Sequence, residues 1–402
     1  MKFRGVCVDV ERAHKLKREL SQQEEVLLSE VKKQTGIDVQ IWAARSIAKV
    51  FDKLSLSYAR TEKTNSPSFT KNFLSTHQHP MVKNIAKARE INKAHTTFID
   101  TILKHQYRGR IHADINPIRS DQGGTVTGRF SYSNPNLQQI PARNKDLGPM
   151  IRSLFIPEKN HKWGCFDYSQ QEPRLVVHYA ATTEPICYDD SVSSIVDKFK
   201  DNSVDFHQTV ADMANISRTQ AKTINLGLFY GMGKAKLQAE LGLNTKDEAE
   251  DLFNQYHQNV PFVRDLMNYT SKTAQTSGSI GTLLGRRCRF NKWEPNQFGM
   301  HKPMELEEAE RTYGRRRIRR AFTYKALNKL IQGSAADMTK KAMVELHKEG
   351  ITPHIQVHDE LDISVESPEH AEKIKDIMES AVDLEVPNKV DYESGPNWGQ
   401  IK

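Results

Sequence analysis

Residues 217–231, SRTQAKTINLGLFYG, place the tightest constraint on what this chain can fold into. Arg218, Lys222, Leu226 and Tyr230 recur every fourth residue and share one face of a helix. Ser217 and Gln220 make an S-x-x-Q capping box at its start, and Gly231 and Gly233 stop it. The helix carries two cations at the end where its backbone dipole is already positive. A Leu and then a Tyr follow on the same face. Such a face can grip a polyphosphate at one end and press on a flat group at the other. It can equally be a surface helix with solvated cations, and the rest of the chain has to decide.

A chain of 402 residues can bury a large core and should divide into two or three domains. With 37% hydrophobic residues, a mean hydropathy of −0.65 and no apolar run of membrane length, it reads as soluble. Its first residues, MKFRGVCVDVERAHK, lack the apolar region of a signal peptide, so the expected location is cytoplasmic, with no membrane partner. Cys7, Cys165, Cys187 and Cys288 lie far apart without zinc-site spacing. They fit thiols in a reducing compartment, and no disulfide-linked partner is expected. A net charge of +8 favours a polyanionic partner. Arg286, Arg287 and Arg289, and the run at 315–320, sharpen that reading, although a solvated basic face is the plainer one.

The expected elements describe an α+β chain. Helices are expected over 9–35, where Gly36 is the stop, and over 43–54 and 80–103, with a polar loop at 60–70 that carries Lys63. Residues 110–143 alternate and turn as short strands, with Arg129, Asn136, Gln138 and Arg143 as their polar reach. Residues 162–175 run from an apolar strand into a helix, and Asp167 sits at the join. Residues 191–275 read as helical, 276–324 as irregular and very basic, and 325–349 as a helix before Gly350. Two apolar strands, 354–357 and 361–365, meet at His358-Asp359-Glu360; a helix at 369–381 and a short tail follow.

Two carboxylate motifs flank the cationic helix, DYSQQE at 167–172 and HDE at 358–360. Each puts an Asp where a strand ends, so that its carboxylate can project from a sheet edge. Two such carboxylates can hold a pair of Mg2+ ions roughly 4 Å apart. One ion lowers the pKa of an attacking hydroxyl, and the other stabilises a leaving pyrophosphate. DYSQQE, R-x3-K-x7-YG and HDE, in this order, resemble the motifs of family A DNA polymerases. The resemblance runs from about Gly5 to Trp398 and includes TGRFSYSNPNLQQIP, DFHQTVA, KALNKLIQGSAAD and VDYESGPNWG.

That resemblance implies a right-hand polymerase with an antiparallel-sheet palm, a helical thumb and helical fingers. The thumb would be 1–107, the palm 108–190 with 330–402, and the fingers 191–329. It implies addition of deoxynucleotides 5′-to-3′ to a primer by two-metal nucleotidyl transfer, with two Mg2+ ions (Mn2+ as a substitute) and primer–template DNA and dNTPs as partners. The implied metal ligands are Asp167, Asp359 and the Tyr168 carbonyl. Lys222 and Glu360 join the two aspartates as catalytic groups, and Lys222 can protonate the leaving pyrophosphate. The incoming nucleotide would meet Arg218, Lys222, His207, Gln170, Glu172, Leu226 and Tyr230. The DNA would meet Arg129, Asn136, Gln138, Asn328, Gln332 and His358. Arg129 and Gln332 would read minor-groove acceptors that every Watson–Crick pair offers in nearly the same places, which suits an enzyme that must accept all four pairs.

Glu172 has two readings: the last residue of a Ser169-x-x-Glu172 capping box, or a side chain filling the space a ribose 2′-hydroxyl would need. Leu226 stands where these enzymes usually carry an aromatic residue, so contact with the sugar and base of the nucleotide changes. Pro173 replaces the usual Leu in the first turn of its helix, where Pro is tolerated. Residues 290–320 look longer than in bacterial relatives and more like phage ones. Asp9 and Glu11 resemble an exonuclease D-x-E but read as helix-start charges. The expectation is a polymerase chain without a proofreading exonuclease, either naturally so or trimmed at its N-terminus, with a separate exonuclease subunit or replisome proteins as candidate partners. Two rivals stand beside it, a single-subunit RNA polymerase, against which Glu172 argues, and a catalytically idle DNA-binding module, against which the intact Asp167, Asp359, Arg218 and Lys222 argue.

Overall fold

The computed structural model describes residues 1–401 apart from 119–122, 143, 201–204, 230–233 and 298; of 226, 228, 229, 234 and 235 it describes the backbone. Tyr230, Arg143, Gly231, Gly233 and the Leu226 side chain therefore lie outside the described residues.

The fold is α+β. At its centre lies a four-stranded antiparallel sheet in the order Ile355–Val357, Glu360–Val365, Lys162–Tyr168, Val390–Gly395. The side-chain alternation of the Lys162–Tyr168 strand assigns its two faces. Phe166 and Tyr168 enter a core with Leu361, Ile363 and the helix Ala326–Lys348, while Trp163 enters a second core with Phe155 and Trp398. Val390–Gly395 corrects the expected short tail. Its Val390 and Tyr392 face the first core and its Asp391 and Glu393 alternate with them, and the acidic residues conceal the strand pattern from a hydropathy reading.

Around this sheet the expected N-terminal helices form. Val10–Thr35 is capped by Asp9, whose side chain accepts from the Arg12 amide at 2.9 Å, and ends at Gly36 in the left-handed region at φ +73°. Its far end, with Ala44–Lys53 and Pro80–Lys93, builds a separate core around Phe51, Val82 and Ile85. The third helix continues through a π turn, Ala94–Ile99, into Asp100–His105. The expected polar loop closes as a hairpin between Ala59–Arg60 and Pro67–Ser68. The strand Val6–Val8 returns this N-terminal unit to the rest of the chain by pairing with Arg110–Ile111 and Phe155–Ile156. Beside it, Arg110 grips Glu158 with both terminal nitrogens, at 3.0 and 2.6 Å, and holds that carboxyl down at about 2.

The helices Phe206–Ala214, Arg218–Phe229, Lys246–Asn259 and Pro261–Ser277 share the first core with the sheet, through Phe206, Tyr256 and Phe262. Residues 276–324 are more ordered than expected. They form two hairpins, Ser279–Gly281 with Arg287–Arg289 and Trp293–Pro295 with Ile318–Arg320, and a helix, Leu306–Tyr313. Strands of three residues are too short to show a period. They are held by side chains instead, with Arg320 4.5 Å over the Trp293 ring and Arg319 bonded to Glu294 at 2.9 Å.

Candidate active site

The sheet register brings the predicted carboxylates together. Asp167 is directly opposite Glu360 on one side and Asp391 on the other. One step along the same face, Cys165 lies between Asp362 and Glu393. Residues directly opposite in antiparallel strands share a face with Cβ atoms about 5 Å apart, and like charges so placed repel. Asp359 joins them from the tight turn between its strands, where its carbonyl accepts from the Tyr168 amide at 3.4 Å. Asp167 is reached by water but is crowded by the acidic side chains around it. Loss of hydration there raises its pKa, and Asp359, Glu360, Asp391 and Glu393 add to the rise. Asp359 is raised too, chiefly by burial, against the pull of Arg129 and His358. Asp362, wholly buried, is raised well above the carboxylate range by burial and by Glu360, and one of its oxygens takes the Trp163 Nε1–H at 2.8 Å.

The turn that carries Asp359 is shaped from behind. His358 is exposed and takes the left-handed region at φ +57°, unusual for a residue with a side chain. Its carbonyl accepts from buried Gln356 Nε2 at 2.5 Å. Gln138 Nε2 lies 3.3 Å from both the carbonyl and the side-chain oxygen of Gln356. Gln138, expected on DNA, is thus a prop for the turn. Asn136, also expected on DNA, accepts from the Gln138 amide at 3.1 Å and caps the short helix Leu137–Gln139.

After Asp167 the chain turns through Gln170, left-handed at φ +55°, into the helix Gln171–Thr182. Gln170 is the N-cap, which corrects the Ser169–Glu172 capping box: the helix starts one residue later than that box requires. The Ser169 amide is already taken, at 2.8 Å, by the Lys389 carbonyl. Glu172 lies in the first helical turn, where the dipole favours it, and accepts from Arg129 Nη2 at 2.6 Å with both side chains mostly shielded.

The cationic helix forms over Arg218–Phe229, while its expected stop at Gly231 and Gly233 lies outside the described residues. The Ser217 hydroxyl accepts from the Gln220 amide at 3.2 Å, and Gln220 Oε1 accepts from the Ser217 amide at 2.9 Å, a complete reciprocal box. Asp205, not foreseen, organises what lies in front of it. One oxygen caps Phe206–Ala214 through the His207 and Gln208 amides; the other takes Arg218 at 2.6 and 2.8 Å. Burial opposes ionisation of Asp205, but those bonds outweigh it and its pKa falls. The His207 ring nitrogen Nδ1 accepts from Asn225 at 3.2 Å, which leaves its proton on Nε2. Burial lowers the His207 pKa, and Lys222 and Arg218 oppose Asp205 in setting the rest. Lys222, one turn beyond Arg218, is exposed and pairs with no carboxylate among the described residues. Gln170 Oε1 accepts from the Phe206 amide at 2.7 Å and so ties the Asp167 turn to the helix pair that presents Arg218 and His207.

Asn328 and Gln332 lie one turn apart on Ala326–Lys348, and Asn328 Nδ2 is buried with no hydrogen-bond partner. A buried donor without an acceptor is costly, so this one is free to take an acceptor from water or a ligand. Sequence reading missed Asp391, Glu393, Asp205 and Gln356. A period-two reading of VDYESG would have exposed the first two.

Comparisons with known proteins show the family to which the chain belongs. The family model for DNA polymerase family A matches residues 10–400. A DNA-directed DNA polymerase of Pseudomonas phage M6 is 33% identical over 99% of this chain and 64% of its own length. The thermostable DNA polymerase I of Thermus filiformis is 34% identical over all of this chain and 47% of its own length. The chain thus spans about half to two thirds of these relatives. The solved polymerase domain of Pol1 from M. smegmatis, in complex with DNA primer–template and dNTP, superposes with a TM-score of 0.75 at 26% identity, over 98% of this chain and 67% of that one. No helix among the described residues is long and apolar enough to cross a membrane. With the model match over nearly its whole length, the chain belongs to DNA polymerase family A.

Proposed function

We propose that this chain extends a DNA primer on a template, adding deoxynucleotides 5′-to-3′ and releasing pyrophosphate. The observation that carries the reading is the meeting of Asp167 and Asp359 at one end of the sheet, joined through Gln170 to the start of Phe206–Ala214 and from there through Asp205 to a helix with two cations at its start. In this reading 1–107 is the thumb, 108–190 with 330–402 the palm, and 191–329 the fingers.

The carboxylate set suits hard divalent cations: Asp167, Asp359, Glu360, Asp391 and Glu393 crowd one end of the sheet and repel each other unless a cation lies among them. Asp167, Asp359 and the Tyr168 carbonyl would hold Mg2+ or Mn2+, which when bound lowers the pKa of a hydroxyl and neutralises phosphate charge. Around them the chain's own groups do the positioning. Arg218 and Lys222 bind the triphosphate, His207 donates to it from Nε2, and Lys222 gives a proton to the departing pyrophosphate. Arg218 reaches the triphosphate by giving up or sharing Asp205. Glu172, fixed by Arg129, occupies the space a 2′-hydroxyl would need. Asn328 and Gln332 take acceptors at the primer end.

Primer extension on a defined template tests this. Template-directed incorporation of all four deoxynucleotides, dependent on Mg2+ or Mn2+, is expected. Binding of primer–template without incorporation would refute it and leave a DNA-binding module. Ribonucleotide incorporation at the deoxynucleotide rate would favour an RNA polymerase.

A further inference from the structure

Asp362 interrupts a strand otherwise built for burial. Leu361, Ile363 and Val365 enter the first core from Glu360–Val365, and Asp362 lies between them on the opposite face, itself 0% exposed. A carboxylate this deep is rare unless it is paired or holds a cation. Its Oδ1 accepts from Trp163 Nε1–H at 2.8 Å, and its Oδ2 has no hydrogen-bond partner among the described residues. The Trp163 ring is held in place in turn, stacked on His354 at 5.8 Å and on Trp398 at 6.0 Å between centroids.

Two further groups meet Asp362. The register puts Cys165 opposite Asp362 and Asp167 opposite Glu360 on the same face of the sheet. The Cys165 sulfur and one carboxylate oxygen each of Glu360 and Asp362 all lie within 4.8 Å of one another. Glu360 Oε1 is buried and, like Asp362 Oδ2, has no partner among the described residues. The plain alternative fills this cluster with protons, one on Asp362 and one on the sulfur, because burial raises the pKa of both.

We propose that Cys165, Glu360 and Asp362 hold one thiophilic divalent cation of the Zn2+ class, one step along the sheet from Asp167 and Asp359. One thiolate with two carboxylates suits Zn2+, Co2+ or Cd2+, whereas Mg2+ takes oxygen ligands alone. Tetrahedral bonds of about 2.3 Å to sulfur and about 2.1 Å to oxygen set ligand atoms about 3.5 Å apart, so the three groups have only to draw together slightly. Water takes the fourth position. The Trp163 N–H fixes the ligating carboxylate from behind, as the outer hydrogen bonds of metal sites do. The cation enters from the Asp167 side, where Glu360 is part-exposed. None of this rests on the polymerase reading.

The test adds Co2+ to the full chain in excess Mg2+, without DNA or nucleotide, and follows the thiolate-to-Co2+ charge-transfer band. One equivalent should saturate the band, and Zn2+ should displace it. Cys165→Ser should abolish the band. Trp163→Phe, which removes the N–H, should weaken Co2+ affinity by about tenfold, and Asp362→Asn, which removes a ligand, by more than that. Circular dichroism checks that each variant is folded. Zinc-edge anomalous scattering from parent crystals soaked in Zn2+ with excess Mg2+ needs no variant and should show a peak among the three side chains. No band in the parent, a band that survives Cys165→Ser, parent affinity in Asp362→Asn, or zinc found only elsewhere would overturn the site. The two readings fail separately: the band in a chain that extends no primer sinks the polymerase reading, and normal extension without the band sinks this site alone.

Discussion

Replacing Glu172 perturbs a charge pair and a volume at once, and three variants separate them. The Glu172–Arg129 bond is 2.6 Å long, with side chains only 13% and 26% exposed. A charge-assisted bond this shielded from water contributes about 1.5–3 kcal/mol and is little weakened by salt. Glu172→Ala should lower unfolding stability by about 2 kcal/mol, and Glu172→Gln, which keeps a neutral acceptor, by about 1 kcal/mol. In a double-mutant cycle with Arg129→Ala the coupling should be about 1–2 kcal/mol, read from urea unfolding. Sugar choice should follow volume, not charge. The ratio of deoxynucleotide to ribonucleotide kcat/KM should stay high in Glu172→Gln and fall by about tenfold or more in Glu172→Ala. Arg129→Ala, which frees the gate to move, should fall between them. If Gln admits ribonucleotides as freely as Ala, charge sets the selectivity and the volume argument fails. If the coupling is near zero, the pair fixes nothing.

Other variants probe the frame around the site. Glu158 is held at about 2 by Arg110 against an ordinary value of 4.5, so its contribution is present above pH 4.5 and lost as pH falls towards 2. Discounted for screening by water at this part-exposed cluster, that shift is worth about 1–2 kcal/mol, and acid unfolding of Glu158→Gln should lack this component. Asp205→Asn keeps an N-cap acceptor and should cost under about 1 kcal/mol, because the Arg218 pair is half exposed; Asp205→Ala loses the cap as well and should cost about 1–2 kcal/mol by urea unfolding. Asp391 raises the Asp167 pKa, so in the metal-free protein Asp391→Asn should move the Asp167 carboxyl titration, read by carbon-13 NMR, to lower pH, and an unmoved titration would contradict the charge reading.

What could be read from the sequence was local. The Ser217–Gln220 box and the Gly36 stop each join residues within four positions, and both formed, while Asp9, read as a helix-start charge, sits at the start of its helix as the cap. Asp167 and Asp359 were legible because short motifs mark the strand ends that carry them. The contacts that shape the site join distant residues. Asp391 meets Asp167 only through strand register, Arg129 reaches Glu172 across 43 positions, and Gln138 reaches Gln356 across 218. No periodicity encodes those pairings. Ser169-x-x-Glu172 shows the reverse failure, a box correct in spacing that the sheet overrode by taking the Ser169 amide. Gln356 was passed over because a Gln in a strand reads as a solvent-facing residue, although here it is buried and supports the turn.

The most direct measurement is single-turnover primer extension by Asp167→Asn and Asp359→Asn, with primer–template affinity determined on the same proteins. Losing a cation ligand should remove several kcal/mol of stabilisation from the reaction, so each variant should be slower by about a thousandfold or more while its DNA affinity stays within about threefold. A variant that extends primers within about tenfold of the parent rate would contradict the pairing of these two carboxylates as the centre of the reaction.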